Sequence, residues 1–248
     1  MIIDVHAHIW DSNIESDKYK EMVAGCRRYG VDRLLVSGLI GGYGPDVEDV
    51  KASNEGVLGL CRLYPDLVRG MVYLNPTHSN CIDVIREYLS YPEFVGIKLW
   101  VAALCDEPCV NPIVEEAIRQ DVPILLHTWY KKVGQLDHES TAAHAARIAN
   151  RYPEAKFLMA HLGGNYYHGI KAIRDCPNVW VDNSGTPIEC DAMDYTLKNI
   201  GADRILYGTD LPGGMLNCIA QVDECSATPE EKEKIYYKNA LRLFGRLK

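Results

Sequence analysis

The stretch Met1-Ile2-Ile3-Asp4-Val5-His6-Ala7-His8 decides how the rest of the chain is read. It is an apolar run ending in two histidines that are two residues apart. Successive strand residues point to opposite faces, so His6 and His8 share a face, roughly 6.5–7 Å apart along the strand. Two imidazoles held this way can converge on one divalent ion at about 2.0–2.1 Å. Such a pair would serve equally as hydrogen-bonded polar residues at a strand end. The choice depends on what closes the later strands.

Working outward, short β-rich runs recur along the whole chain: Ile2–Val5, Arg33–Ser37, Val68–Leu74, Phe94–Leu99, Pro123–Leu126, Lys156–Ala160, Asn178–Val181 and Arg204–Tyr207. Most are apolar throughout, as expected of parallel strands buried on both faces. Amphipathic stretches separate them. Val110, Ile113, Val114, Ala117 and Ile118 follow a helical stripe closely, and Asp46–Tyr64, Thr77–Tyr91, His138–Tyr152 and Glu189–Ile200 are weaker segments of similar kind. Near the end, Thr228-Pro229-Glu230-Glu231 offers an N-cap, a first-turn proline and a capping-box glutamate. The expected fold is therefore α/β: a single (β/α)8 TIM barrel over residues 1–248 with an extra C-terminal helix. A doubly wound sheet would want a phosphate-binding glycine-rich turn after its first strand, where this chain has His6-Ala7-His8-Ile9-Trp10. Gly41-Gly42-Tyr43-Gly44-Pro45 lacks P-loop spacing and its lysine, and reads as a flexible mouth loop.

Composition narrows the function classes. The 248 residues are 47% hydrophobic and 24% charged, which is ordinary for a globular protein, and the formal charge is −8. An acidic surface argues against nucleic acid or anionic membrane as a partner. No apolar stretch approaches the roughly 20 residues that span a bilayer. The N-terminal residues carry no basic region and no small-residue cleavage motif, so a cytoplasmic location is expected. Nine cysteines without paired zinc-knuckle spacing read as reduced, packed hydrophobes.

Barrel active sites sit at the carboxyl ends of the strands. Those positions hold His6 and His8, Lys98 on the fourth strand, His127 after the fifth, His161 after the sixth and Asp210 after the eighth. Packing alone explains such a coincidence poorly, because charged side chains are rarely buried unless paired or metal-bound. The constellation points to a metal site.

The chain resembles the amidohydrolase superfamily, in particular its short branch of aminocarboxymuconate-semialdehyde decarboxylase-like, amidohydrolase-related proteins. The resemblance rests on Asp4-Val5-His6-Ala7-His8, Gly96-Ile97-Lys98-Leu99, Leu126-His127, Ala160-His161-Leu162-Gly163-Gly164, Val181-Asp182-Asn183-Ser184-Gly185, Tyr207-Gly208-Thr209-Asp210-Leu211-Pro212 and the closing Lys238-Asn239-Ala240-Leu241-Arg242-Leu243-Phe244. It implies that His6, His8, His127 and Asp210 hold one divalent metal, usually zinc, and that His161 acts as general base or orients the attacking water. Other branches carry two metals, bridged by a carboxylated lysine from the fourth strand. In that case Lys98, His127 and His161 would also be ligands.

The chemistry agrees. A divalent cation lowers the pKa of bound water from 15.7 towards about 7. Asp210 can accept a proton beside the metal, and His161 has a side chain suited to proton transfer near neutrality. A free Lys98 ammonium next to a dication would be repelled. Carbamylation would make it a ligand, and pairing with Asp4 or Asp182 is the alternative.

Trp10, Trp100, Trp129 and Tyr130 follow strands one, four and five, where they would stack a planar substrate or pack the loops. Asn165 follows the glycines after the sixth strand as a polar substrate contact. Lys131 and Lys132 are the clear loop candidates for a carboxylate anchor, and arginines fall mostly in helical segments or at strand starts. This scarcity of anchors favours a metal-dependent hydrolase, with metal-activated water attacking an ester, lactone or amide carbonyl. The alternative is metal-dependent, non-oxidative decarboxylation of an aromatic or enoic acid, and a non-catalytic barrel binding protein is the remote one. A small-molecule substrate is the expected partner, and a homodimer would be compatible with it.

Overall fold

The computed structural model describes residues 1–185 and 189–247. Eight strands follow one another around the sheet in chain order: β1 (Ile3–Ile9), β2 (Arg33–Gly38), β3 (Val68–Leu74), β4 (Phe94–Leu99), β5 (Ile124–Leu126), β6 (Phe157–Met159), β7 (Val179–Asp182) and β8 (Ile205–Leu206). All neighbouring pairs are parallel. Helices α1 (Asp17–Arg28), α2 (Val47–Leu63), α3 (Cys81–Leu89), α4 (Asn111–Arg119), α5 (Ala142–Arg151), α6 (Tyr166–Ile173), α7 (Ala192–Ile200) and α8 (Met215–Glu224) alternate with them. This is the (β/α)8 barrel that the strand spacing predicts.

Contacts between β1 and the segment running out of β8 close the barrel. Val5 N donates to Tyr207 O (3.1 Å), Asp210 N to His6 O (2.8 Å) and His8 N to Leu211 O (2.9 Å). Asp4 adds a side-chain tie: its carboxylate accepts from Thr209 N at 3.1 Å and Thr209 Oγ1 at 2.5 Å. Complete burial pushes the Asp4 carboxyl up to about 7 despite these donors.

Two apolar layers flank the strands. The inner one joins Ile3, Val5, Leu35, Met71, Val95, Leu125, Leu158 and Leu206 inside the barrel. Its floor is the C-terminal segment, made of α9 (Pro229–Glu233), a π-helical stretch at Lys234–Lys238 and α10 (Asn239–Leu243). From this segment Ala240, Leu243 and Phe244 pack against the inner layer. Full burial of a side chain such as Phe244 contributes about 1.5–3 kcal/mol. Thr228 and Glu231 form the anticipated capping box at the start of this segment.

Strict alternation would turn the site residues the wrong way. Ile3 and Val5 face the inner layer, whereas Ala7 and Ile9 join the outer one, so the inward parity inverts within β1. The β1–β2 register shifts at that point, between Asp4 and Ala7. The β3–β4 register shifts between Gly70 and Met71, and there Val95 is inner while Ile97 is outer. Each irregularity adds a residue that re-aims the rest of its strand. His6, His8 and Lys98 are turned inward as a result.

Several boundaries differ from the sequence expectation. The fifth helix starts at Ala142, not His138, because Thr141 forms a capping box with His144. The seventh starts at Ala192, three residues inside the expected Glu189–Ile200 segment. Six of the nine cysteines are buried and all are free thiols. Among the described residues no helix is long and apolar enough to cross a membrane.

Candidate metal centre and its aromatic mouth

His6 is the hub of the site. Its Nδ1 lies 3.0 Å from Asp182 Oδ2 and 3.0 Å from Ser184 Oγ. Its Nε2 lies 3.0 Å from His8 Nε2 and 3.1 Å from Lys98 Nζ. His8 is steadied from behind by Ser37 Oγ, 2.8 Å from its Nδ1. Asp210 Oδ1 approaches His8 Nε2 at 3.2 Å and His6 Nε2 at 3.8 Å. His6, His8, Ser37, Lys98 and Asp182 are almost completely buried, whereas the Asp210 side chain keeps 35% of its surface open.

His161 and Asp210 adopt unusual backbone conformations. β6 stops at Met159, so His161 lies in a short 3-10 turn with φ 61°, and Asp210 has φ 62°. Left-handed backbone at a residue other than glycine costs about 1–3 kcal/mol and persists where the surroundings over-determine it. At His161 the constraint is visible: Asp182 Oδ1 accepts its backbone N–H at 2.9 Å, and Ser184 Oγ lies 2.9 Å from its Nδ1. Ser184 donates its hydroxyl hydrogen to Asp182. Asp182 thus orients both His6 and His161.

The electrostatics follow from burial. Desolvation lowers His6 and His8 below their ordinary value and brings His161 down to about 4, so all three imidazoles are neutral near pH 7. Burial also brings the Lys98 ammonium down to about 8, against the pull of Asp210 and Asp182. Burial acts upward on Asp210, but His8, His161 and His6 hold its carboxyl well below the usual carboxylate range.

The donor set fits a divalent cation. Ligands about 2.0–2.1 Å from one ion stand roughly 2.8–3.4 Å apart at octahedral or tetrahedral angles, which matches the His6–His8 and His8–Asp210 separations, while His6–Asp210 is longer at 3.8 Å. Two groups converge tightly enough to be weighed: His6, His8 and Asp210, and His6, His161 and Asp182. In the second, Asp182 already accepts from His6, His161 and Ser184, as an outer carboxylate does. In the first, the Asp210 carboxylate answers only histidine nitrogens and keeps 35% of its surface open, so this group is the better cage.

His127 stands outside both groups. Its Nε2 lies 3.2 Å from Glu139 Oε1, while its ring centroid is 5.2 Å from that of His161. Lys98 makes no ion pair with Asp4 or Asp182 among the described residues, since Asp4 is engaged with Thr209 and Asp182 with the histidines.

Three tryptophans surround these groups. Trp10 lies 6.0 Å from His8 and 5.5 Å from Trp100 between ring centroids. Trp100 is 6.4 Å from His127, and Trp129 is 5.1 Å from His161. Tyr43, from the glycine-flanked loop, packs on Trp100 at 5.1 Å. That loop is built: Gly41 has φ 84°, and a Cβ there would meet the Asp49 carboxylate. Asp46 and Asp49 then form the capping box of α2. Tyr130 turns away to pack on His168, 5.0 Å between centroids, and Asn165 caps α6 by accepting from His168 N. Lys131 pairs with Glu139 at 2.6 Å.

Ser37, Tyr43 and Glu139 complete this arrangement, and the sequence did not single them out as site residues. Ser37 closes a strand, the position that marks the other site residues. Glu139 lies deep in a loop and carries no comparable signal.

Comparison with known proteins places these observations. The amidohydrolase family model matches residues 3–246. Gamma-resorcylate decarboxylase of Polaromonas sp. (strain JS666) is 26% identical over 161 residues, covering 54% of this chain and 48% of that protein, so the chain matches about half the length of this curated relative. A solved 2,6-dihydroxybenzoate decarboxylase from Rhizobium superposes with a TM-score of 0.76 at 18% identity, covering 99% of each chain. A dihydroxybenzoic acid decarboxylase from Polaromonas sp. JS666, solved with manganese and 2-nitroresorcinol, gives 0.77 at 18% identity, covering 100% of this chain and 98% of that one. These relatives overturn the expectation of a hydrolase, because they are decarboxylases built on the same superfamily fold. The expectation of zinc gains no support from a relative that holds manganese. The chain belongs to the amidohydrolase family and is an enzyme of that superfamily.

Proposed function

We propose that this protein is a metal-dependent, non-oxidative decarboxylase of an aromatic acid. The observation that carries the reading is the meeting of an open His6–His8–Asp210 group with a mouth walled by Trp10, Trp100 and Trp129. Flat aromatic walls suit a planar ring, and the donor group suits its carboxylate. The decarboxylases similar to this chain act on ring acids of that kind.

His6, His8 and Asp210 would hold the ion. A divalent cation bound there supplies Lewis-acid stabilisation of the oxygens of the substrate. The tryptophans hold the ring against the group and exclude water from it. As the bond to the carboxyl carbon breaks, its electron pair stays on the ring carbon, which takes up a proton, and carbon dioxide leaves. Asp210, ionised at rest, would take up one proton from solvent on its open Oδ and give it to the ring carbon, which returns the carboxylate to its resting state. His161 is held by Asp182 and Ser184 and presents a neutral imidazole beside it. Lys98 Nζ stands 3.1 Å from His6 Nε2, on the side of the ring that would face the ion, so beside a bound dication it would be neutral or turned away.

The test is protein loaded with Mn²⁺ or Zn²⁺ and incubated with a panel of hydroxybenzoic acids labelled with ¹³C in the carboxyl group. Labelled carbon dioxide should appear in step with loss of the acid. A metal-loaded, folded enzyme that releases none from any ring acid overturns the reading.

A further inference from the structure

Glu139 lies at the end of the long loop between β5 and α5 and is only 5% exposed, yet four hydrogen bonds from three side chains converge on its carboxylate. Lys131 Nζ reaches its oxygens at 2.9 and 2.6 Å, Gln135 Nε2 at 2.9 Å, and His127 Nε2 stands 3.2 Å from Oε1. The Lys131 ammonium and the Gln135 amide N–H groups can only donate, so Glu139 meets them as a carboxylate. An ionised carboxylate only accepts. The His127 nitrogen facing it must therefore carry the hydrogen, and a neutral imidazole with Nε2–H has its lone pair on Nδ1. No hydrogen bond engages Nδ1 among the described residues. The ring itself stands inside the site, 5.2 Å from His161, 6.4 Å from Trp100 and stacked at 6.4 Å on Trp129.

We infer that Glu139 is a positioning residue that locks His127 as the Nε2–H tautomer and so leaves the Nδ1 lone pair to the site. That lone pair is offered to an electron-pair acceptor, which is either the divalent ion or an O–H group of the bound acid. Only the second option rests on the decarboxylase reading. Lys131 and Gln135 keep the Glu139 carboxylate in place, which is why Lys131 is not a free anchor for substrate. A side chain that merely tied the loop down would do so through Lys131 and Gln135 and would leave the proton on His127 unassigned.

The tautomer can be read directly from long-range ¹H–¹⁵N correlations of ¹⁵N-histidine-labelled protein, with His127 assigned by loss of its signals in His127→Asn. The intact protein should show His127 with its proton on Nε2. Glu139→Gln keeps the shape but offers an amide that both donates and accepts, so His127 should become a mixture of tautomers. Outer carboxylate partners of this kind typically affect metal affinity about 10–100-fold. Zn²⁺ titration of Glu139→Gln should therefore show a Kd weakened on that scale if the ion uses the lone pair. If the Zn²⁺ Kd is unchanged, the KM for the ring acid should rise instead, with Lys131→Met retaining the intact tautomer. The inference is overturned if the intact protein carries the proton on Nδ1, or if Glu139→Gln leaves tautomer, Kd and KM all within about twofold. It is equally overturned if Lys131→Met reproduces every effect of Glu139→Gln. The tautomer and Zn²⁺ measurements need no turnover, so they stand even where the decarboxylase reading fails.

Discussion

The Nε2 atoms of His6 and His8 lie 3.0 Å apart inside the barrel, where the register shift between Asp4 and Ala7 turns both side chains. With Asp182 accepting from Nδ1 of His6, the Nε2 of His6 presents a lone pair towards its neighbour. A divalent cation held between the two rings would take that lone pair in place of the His6–His8 contact.

Removing either histidine should therefore cost more than removing an outer partner. His6→Ala and His8→Ala should each weaken Mn²⁺ binding by more than about 100-fold, beyond the range of outer-sphere changes. Isothermal titration of folded variants checks this, with circular dichroism confirming the fold. Stoichiometric binding of undiminished affinity would remove these residues from the ligand set.

Asp182 accepts from His6, His161 and Ser184 without belonging to the preferred metal group. Asp182→Asn keeps its volume but replaces one acceptor with a donor. Metal affinity should fall about 10–100-fold while the barrel still folds. Comparing the Kd of this variant with that of His6→Ala separates an orienting carboxylate from a ligand.

The aromatic wall gives a distinct signature. Stacking is worth about 0.5–1.5 kcal/mol beyond area burial, so Trp100→Leu should raise KM for a ring acid roughly 2–10-fold with little change in metal affinity. Tyr43→Phe should keep the packing on Trp100 and leave KM close to that of the intact enzyme. Equal KM for Trp100→Leu and the intact enzyme would mean that the tryptophan only packs the loops.

Stability should depend on pH through a group outside the candidate metal site. Glu116, on α4, is buried and held down to about 2 from an ordinary 4.5, chiefly by its hydrogen bonds with Arg86. Because the folded-state value is depressed, the stabilisation is fully present above about pH 4.5 and is lost as pH falls towards 2. Urea midpoints measured between pH 7 and pH 3 should fall, and Glu116→Gln should flatten part of that slope. Parallel slopes in the two proteins would contradict the assignment.

Much of this was legible in the sequence for a physical reason. A parallel barrel buries both faces of each strand, so its strands read as apolar runs, and a ligand-type residue after such a run stands out. His6, His8, Lys98, His127, His161 and Asp210 were singled out this way as site candidates. The two register shifts were not legible, because a bulge has no residue signature here, and without them alternation would face Lys98 outward. Asn165 was singled out as a polar substrate contact, and the structure shows its side chain capping α6, a role its position before that helix also supports. Hydrolysis could not be told from decarboxylation because one donor set serves both, and the choice lies in loops whose side chains meet only in three dimensions.

The most direct test of the central claim is turnover of a ring acid by the Mn²⁺-loaded enzyme in D₂O. The account predicts one deuterium at the vacated ring carbon for each carbon dioxide released, and loss of both in Asp210→Asn that still binds the acid. Consumption of the acid without carbon dioxide, or release at an unchanged rate by metal-free protein, would contradict it.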